Sequence, residues 1–269
     1  MNIRDFEHDI VGQTLNFISC NDKYALRRHY RQGLRSLVVE FLSRDDLEIE
    51  KKGVENDGLK EFPRAIPSHV LRIYKKNITK EQALEEARKV KLLNKYLKEN
   101  VAYSMEFIVD YYINGRHEPL LCGLQEYIND FSYPPIDPWH CVPEAYPDGF
   151  KEEVGQFVDR VKEIANSEGL MPDLAGKANL LYAQRGVVLI DVNNVNYFDY
   201  SDNIFLDDNG FPVIDNSVEA LSRLDELANG YLAQERLYSH FLNFYRLNKT
   251  RDVIRSWLHK EYGHVPRAD

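Results

Sequence analysis

The spacing of apolar residues predicts helices at both ends of the chain and strands between them. Residues 1 to about 45 are predicted to be helical, because apolar residues recur there at intervals of three and four. The positions that carry this prediction are Leu34, Leu37, Val38 and Phe41. The charged, glycine-containing stretch 43–60 favours a loop or a pair of weak strands.

The middle of the chain predicts a strand, a helix and two further strands. The alternation in 69–74 is typical of a strand, and Pro63 and Pro67 precede it as breakers. Thr79 begins a helix, since Thr79 and Gln82 have the spacing of a capping box. Strands are then predicted over 105–112 and 120–128, with Gly115 in the turn between them.

The second half of the chain is predicted to be mainly helical, with two short hairpins. The proline-rich stretch 133–149 should be irregular, and it is followed by a predicted helix over 151–166. The apolar runs 179–182 and 187–190 predict one hairpin, and 203–215 predicts a second around its Asn-Gly turn. Residues 217–262 are predicted to be helical.

Composition narrows the class of protein. The 269 residues include 34 Lys and Arg against 43 Asp and Glu, a net charge of −9 that disfavours nucleic acid as a partner. The odd count of three cysteines argues against a disulfide framework, so a cytoplasmic protein is expected. We find neither a signal-peptide pattern nor an apolar run long enough to span a membrane.

Three polar residues stand where the first hairpin would bring them together. Asp173 lies on a glycine-containing loop after a helix, Asn179 opens the hairpin and Asp191 closes it. Because a hairpin joins its two ends, Asn179 and Asp191 should be neighbours. Carboxylate and amide oxygens are ligands that suit Mg²⁺, so these two residues are predicted to bind the metal, with Asp173 placed to orient or accept a proton.

This arrangement resembles the protein-kinase-like superfamily, including its aminoglycoside-phosphotransferase-like branch and the atypical bacterial kinases. The family has a catalytic-loop Asp, an Asn a few residues later and a metal-binding Asp after the next hairpin. The resemblance implies Asp173 as the catalytic base, and Asn179 and Asp191 as ligands of Mg²⁺.

The resemblance also implies a nucleotide site in the N-terminal part. Arg72 lies where the family has its strand lysine, and it can bind phosphate and pair with Glu86 on the helix that follows. Lys75 or Lys76 is an alternative cation. Glu126 and Ile128 belong to a segment similar to the hinge that contacts adenine. ATP and Mg²⁺ are therefore the expected cofactors.

The implied fold is α+β and two-lobed. Its N-terminal lobe would be small, with an antiparallel sheet and one helix, and its C-terminal lobe mostly helical. The expected division is a helical or irregular extension over 1–60, an N-lobe over 61–128 and a C-lobe over 129–269. The second hairpin offers a rival register, in which Asp215 replaces Asp191 at the metal.

The expected activity is transfer of the γ-phosphoryl group of ATP to a hydroxyl. The chain has neither a glycine-rich phosphate loop nor the segment that follows the metal-binding Asp in standard protein kinases. A small molecule, a lipid-linked sugar or a non-standard protein is therefore the expected acceptor. Two alternatives remain open: a pseudokinase that acts as a nucleotide-binding or scaffolding module, and a kinase-fold enzyme that transfers AMP.

Overall fold

The computed structural model of the chain describes residues 23–28, 36–74, 78–113, 116–130, 132–197 and 213–229. The chain divides into two units. The first comprises Met1–Lys91 and Tyr103–Asn129, and the second Leu92–Ala102 and Asp130–Asp269. The extension expected over 1–60 contributes strands to the first unit, and a short segment before residue 103 belongs to the second.

A five-stranded antiparallel sheet dominates the first unit. Its strands are β1 (Tyr24–Arg28), β2 (Ser36–Ser43), β5 (His69–Tyr74), β6 (Ser104–Ile113) and β7 (Arg116–Glu126). They are arranged in the order β1-β2-β5-β7-β6. The strands predicted over 69–74, 105–112 and 120–128 are confirmed, while Gly115 lies outside the described residues.

The helix predicted over the first 45 residues is wrong for β1 and β2. The apolar run of β2 satisfies helical spacing and strand alternation at once, and pairing with β1 and β5 decides in favour of the strand. Leu37, Val39 and Phe41 then lie on one face, in a core shared with β5, β6 and β7.

One short helix was missed by the sequence analysis. Helix α1 (Arg44–Lys52) follows β2 directly, and the Ser43 side chain caps it by accepting a hydrogen bond from the Asp45 N–H. The stretch 43–60 was expected to be a loop or a pair of weak strands, and its second half forms such a pair, a hairpin of β3 (Val54–Asn56) and β4 (Leu59–Glu61). All residues of these two strands are exposed.

The predicted capping box is present at the start of α2 (Lys80–Leu97). The Thr79 N–H donates to Gln82 Oε1 at 2.9 Å, and the Gln82 N–H donates to Thr79 Oγ1 at 3.2 Å. Ala83 of this helix packs with Tyr74 and Leu121 on the sheet face opposite the main core. That second face also carries buried polar residues.

The second unit contains two long helices and short strands. The helices are α3 (Phe150–Glu168) and α4 (Val213–Asn229), which pack together. The strands are β8 (Leu170–Met171), β9 (Leu180–Ala183), β10 (Gly186–Leu189) and β11 (Asn196–Tyr197). Strands β9 and β10 form one antiparallel pair, and β8 and β11 form another. The first predicted hairpin and the helix after the proline-rich stretch are therefore confirmed.

The second predicted hairpin is wrong at its closing strand, because Val213 and Ile214 begin α4. Most of that hairpin lies outside the described residues, as do Lys75 and Lys76. Asp215, the rival metal ligand, is also part of α4.

The α+β class is confirmed, with an antiparallel sheet in the first unit and two long helices in the second. None of the described helices combines the length and the apolar character needed to cross a bilayer.

Candidate functional site

The first hairpin makes Asn179 and the residue before Asp191 direct neighbours. Leu180 pairs with Leu189, and one step further the Ile190 N–H donates to the Asn179 carbonyl at 2.8 Å. Asp191 is the next residue along the chain. Both polar residues are therefore at the open end of the hairpin, where the sequence predicts them.

The loop that carries Asp173 is held by its own polar groups. Asn179 Nδ2 donates to the Asp173 carbonyl at 3.1 Å, so the amide of Asn179 ties the two ends of the loop together. Asp173 Oδ1 accepts a hydrogen bond from the Ala175 N–H at 3.2 Å, as in an Asx turn. The Leu174 N–H donates to Ser217 Oγ, and both residues are buried. Helix α4 therefore anchors the loop at its centre.

The pairing of β8 with β11 brings one more side chain to Asp173. Met171 is opposite Asn196, so two residues further the antiparallel register places Asp173 opposite Asn194. Asn194 Nδ2 donates to Asp173 Oδ2 at 2.7 Å. Both carboxylate oxygens of Asp173 thus accept a hydrogen bond, Oδ1 from the backbone of its own turn and Oδ2 from the Asn194 side chain.

The segment that carries Asp191 is fixed by apolar anchors on both sides. Val192 and Val195 are buried, at 1% and 3% exposure, while Asp191 and Asn194 are partly exposed. Asp191 Oδ1 accepts a hydrogen bond from the Asn193 N–H at 3.0 Å. The buried valines therefore fix the backbone from which the polar side chains project.

Asn179 and Asp191 bring to this end of the hairpin oxygen donors of the kind that Mg²⁺ prefers. Asn179 uses its Nδ2 on Asp173, so its amide oxygen is the end that a cation would bind. Mg²⁺ is commonly held in proteins by one or two carboxylates together with water and phosphate oxygens. Within the residues that the structure describes, no cluster of three or more His, Cys, Asp or Glu side chains is suited to a metal.

In the first unit, Arg72 takes part in a buried polar cluster. Its Nη2 donates to Glu106 Oε1 at 2.5 Å and to Ser104 Oγ at 2.7 Å. Arg72 is 4% exposed and the Glu106 side chain 2% exposed. The positive charge of Arg72 is therefore balanced within its own sheet, by a strand two places away.

The other predicted nucleotide-binding residues of the first unit are partly exposed. Glu86 pairs with Lys89 on the same helix, with 2.7 Å between Lys89 Nζ and Glu86 Oε1. The Glu126 N–H donates to the Tyr103 carbonyl at 2.9 Å, at the end of β7. Ile128 lies two residues beyond that strand. These residues belong to the first unit, and Asp173, Asn179 and Asp191 to the second.

The nearby Cys122 is not a reactive thiol. Burial, together with the smaller effect of the negative charge of Glu106, raises the pKa of Cys122 to about 12. The thiol is therefore protonated near neutral pH, and thiolate is the form that reacts.

Sequence analysis missed Glu106 and Asn194. A strand pattern identifies the face on which Glu106 lies but not the strand opposite it. For Asn194 a local signal exists: Asn tolerates the left-handed backbone, and the run Asp191-Val192-Asn193-Asn194 ends a hairpin. Its contact with Asp173 depends on the β8–β11 pair, which is only two residues long.

Comparison with known proteins identifies no relative by sequence. No family model matches the chain, and no curated protein matches it either. Among solved structures, the chain is similar to the Cydia pomonella granulovirus kinase, PK-1, with a TM-score of 0.36 and 14% identity. The match covers 72% of this chain and 60% of the viral kinase. At this similarity it assigns neither a family nor an activity.

Proposed function

We propose that the chain is a Mg²⁺-dependent phosphotransferase of the kinase-like type, which transfers the γ-phosphoryl group of ATP to a hydroxyl. The observation that carries the proposal is the Asp173, Asn179 and Asp191 arrangement at the end of one hairpin. The Asn179 side-chain amide donates to the Asp173 carbonyl. The Asn179 carbonyl accepts a hydrogen bond from the N–H of Ile190, the residue before Asp191.

Each residue has a separate role in the proposed reaction. Asn179 and Asp191 hold Mg²⁺, which supplies charge stabilisation for the phosphate oxygens when it is bound. Asp173 accepts or orients the proton of the acceptor hydroxyl, and the Ala175 N–H bond to its Oδ1 lies within its own loop. Such catalysis depends on positioning and electrostatics.

The nucleotide contacts are part of the same proposal. Arg72, Glu86, Glu126 and Ile128 are the residues proposed to bind ATP, by their resemblance to the kinase-like pattern. The branch within the superfamily, the acceptor and a cytoplasmic location also remain proposals.

One observation favours a second candidate, a nucleotide-binding module without turnover. Glu106 balances the charge of Arg72 in a buried site, so less positive potential is left for phosphate than an unpaired cation would give. A third candidate, transfer of AMP, is separated from phosphoryl transfer by the mass of the modified acceptor.

Thermal stabilisation by ATP tests the proposal. We expect ATP with Mg²⁺ to raise the Tm of the wild type, because a ligand that binds only the folded state stabilises it. The shift should be much smaller with EDTA and in Asp191→Ala. Asp137→Ala is the matched control, since Asp137 Oδ1 also accepts an N–H bond from the residue two positions later. An Asp191→Ala shift equal to that of the wild type would overturn the metal assignment.

Turnover is measured separately. Mg²⁺-dependent ADP formation in the wild type, reduced to a small residual rate in Asp173→Ala with the ATP-induced Tm shift retained, supports phosphotransfer. A full ATP shift without ADP or transferred AMP, over a panel of sugar, lipid and protein hydroxyls, would favour the binding module instead.

A further inference from the structure

The Asn194 side chain makes the shortest hydrogen bond to Asp173, and nothing in the proposed reaction so far uses it. Asn194 Nδ2 lies 2.7 Å from Asp173 Oδ2, whereas the Ala175 N–H contact to Oδ1 is 3.2 Å long. The two residues are 21 positions apart, and the short β8–β11 pair aligns them.

The chemistry of the contact fixes the orientation of the Asn194 amide. A carboxylate only accepts hydrogen bonds, so the NH₂ end must face Asp173; the flipped amide would place two acceptors against each other. The opposite end, Asn194 Oδ1, is buried and accepts no hydrogen bond among the described residues. The Asn194 amide therefore donates to Asp173 while its own side-chain carbonyl oxygen is left without a hydrogen bond in the part of the chain that the structure describes.

The backbone of Asn194 is also in an unfavourable conformation. Its φ is +71°, in the left-handed region that residues other than glycine seldom adopt, although Asn tolerates it better than most. Sparsely populated backbone conformations and unsatisfied buried polar atoms tend to gather at functional sites. Here both occur in one residue whose donor group contacts the proposed base.

We infer that Asn194 is a positioning residue, which holds the Asp173 carboxylate in the orientation needed to accept the proton of the acceptor hydroxyl. The inference rests on the proposed function and deepens it. Asn194 is assigned no contact with substrate, and its effect on the reaction passes entirely through Asp173. An asparagine suits the position because it combines an N–H donor with tolerance of positive φ.

The test is a cycle of kcat and KM for ATP over wild type, Asn194→Gly, Asp173→Ala and the double variant. Glycine removes the amide while accepting the left-handed backbone, so folding should be preserved. We expect Asn194→Gly to lower kcat by about tenfold with less than a twofold change in KM, since only positioning is lost. Added to Asp173→Ala, it should cause no further loss. An equal kcat loss in both backgrounds would overturn the inference.

A conservative variant separates positioning from a structural role. Asn194→Asp keeps the size and the tolerance of positive φ but replaces the donor by a second carboxylate. We expect it to lower kcat at least as much as glycine does, because a second carboxylate cannot donate a hydrogen bond to Asp173. A kcat that follows only the Tm of each variant would assign Asn194 a structural role and overturn the inference.

A stability cycle over the same four proteins keeps the two proposals apart. If the wild type has no activity, the proposed function fails, but the contact is still tested by unfolding. Non-additive changes in Tm between Asp173→Ala and Asn194→Gly support the bond. Strictly additive changes would overturn it, whatever the activity.

Discussion

The Arg72 guanidinium and the Glu106 carboxylate form a buried ion pair across the strand that lies between them, at the position of a glycine. Gly123 on β7 is opposite Arg72 on β5 and also opposite Glu106 on β6, so the three residues form one row across the sheet. A side chain at position 123 would occupy the space between the two charges. The pair and the glycine therefore depend on each other.

Gly123→Ala should strongly destabilise the first unit. A Cβ at this position would lie 2.5 Å from both carboxylate oxygens of Glu106 and 2.7 Å from Arg72 Nη2. Separating a buried pair leaves charges uncompensated, at a cost of about 3 kcal/mol. We expect a clear fall in the urea midpoint of unfolding. Gly155→Ala is the control, because its Cβ would meet only the Ala228 Cβ at 3.6 Å; equal effects would contradict the prediction.

Removing one partner of the pair should cost more than removing both. Glu106→Gln leaves the Arg72 guanidinium buried without this counter-charge. Arg72→Met likewise leaves the Glu106 carboxylate buried without its cation. Each change is expected to lower the free energy of unfolding by about 3 kcal/mol. The double variant should lose less free energy of unfolding than either single variant, which equilibrium unfolding of the four proteins measures. Additive losses would mean that the two residues do not stabilise each other.

Gly176→Ala should impair metal and nucleotide binding more than stability. A Cβ on Gly176 would overlap the side-chain amide of Asn179, whose Nδ2 bridges to Asp173. The amide is a movable group, so we expect a loss of about 1 kcal/mol in stability. The Tm shift caused by ATP and Mg²⁺ should fall markedly. Gly155→Ala again serves as the control, and a full shift in Gly176→Ala would argue against a role for the Asn179 amide.

Acid should weaken the first unit through Glu50. The Ala65 N–H donates to this carboxylate at 2.6 Å, and Arg27 contacts it at 2.8 Å. These contacts, the backbone bond first, lower the pKa of Glu50 below its ordinary value of 4.5. A lowered pKa means that the stabilisation is complete above the unfolded value and is lost as pH falls through the folded value.

Glu50→Gln measures that contribution. At pH 7 we expect Glu50→Gln to have a lower Tm than the wild type, because the substitution removes the carboxylate charge. The difference in Tm between the two proteins should shrink as pH falls below about 4, where the wild-type carboxylate is protonated as well. Glu55→Gln on the exposed strand β3 is the control, and its Tm should equal that of the wild type at every pH measured. A Glu50→Gln difference independent of pH would show that the ionised carboxylate is not the stabilising group.

Elements with local signals could be predicted from the order of the residues alone. The capping box at Thr79 specified the start of α2, because both of its hydrogen bonds join residues three apart. The apolar runs around Gly186 likewise specified the β9–β10 hairpin, and with it the closeness of Asn179 to Asp191, since a short turn leaves the chain little choice of partner.

Contacts between distant segments could not be predicted in this way, because they depend on which strands pair. Leu37, Val39 and Phe41 fit a helix or a strand equally well until β1 and β5 pair with them. The choice of Glu106 as a partner for Arg72 follows from strand order, and the contact of Asn194 with Asp173 from a two-residue ladder. Residue spacing encodes neither, because a periodic pattern specifies which face a side chain lies on, and the pairing of strands specifies what it meets there.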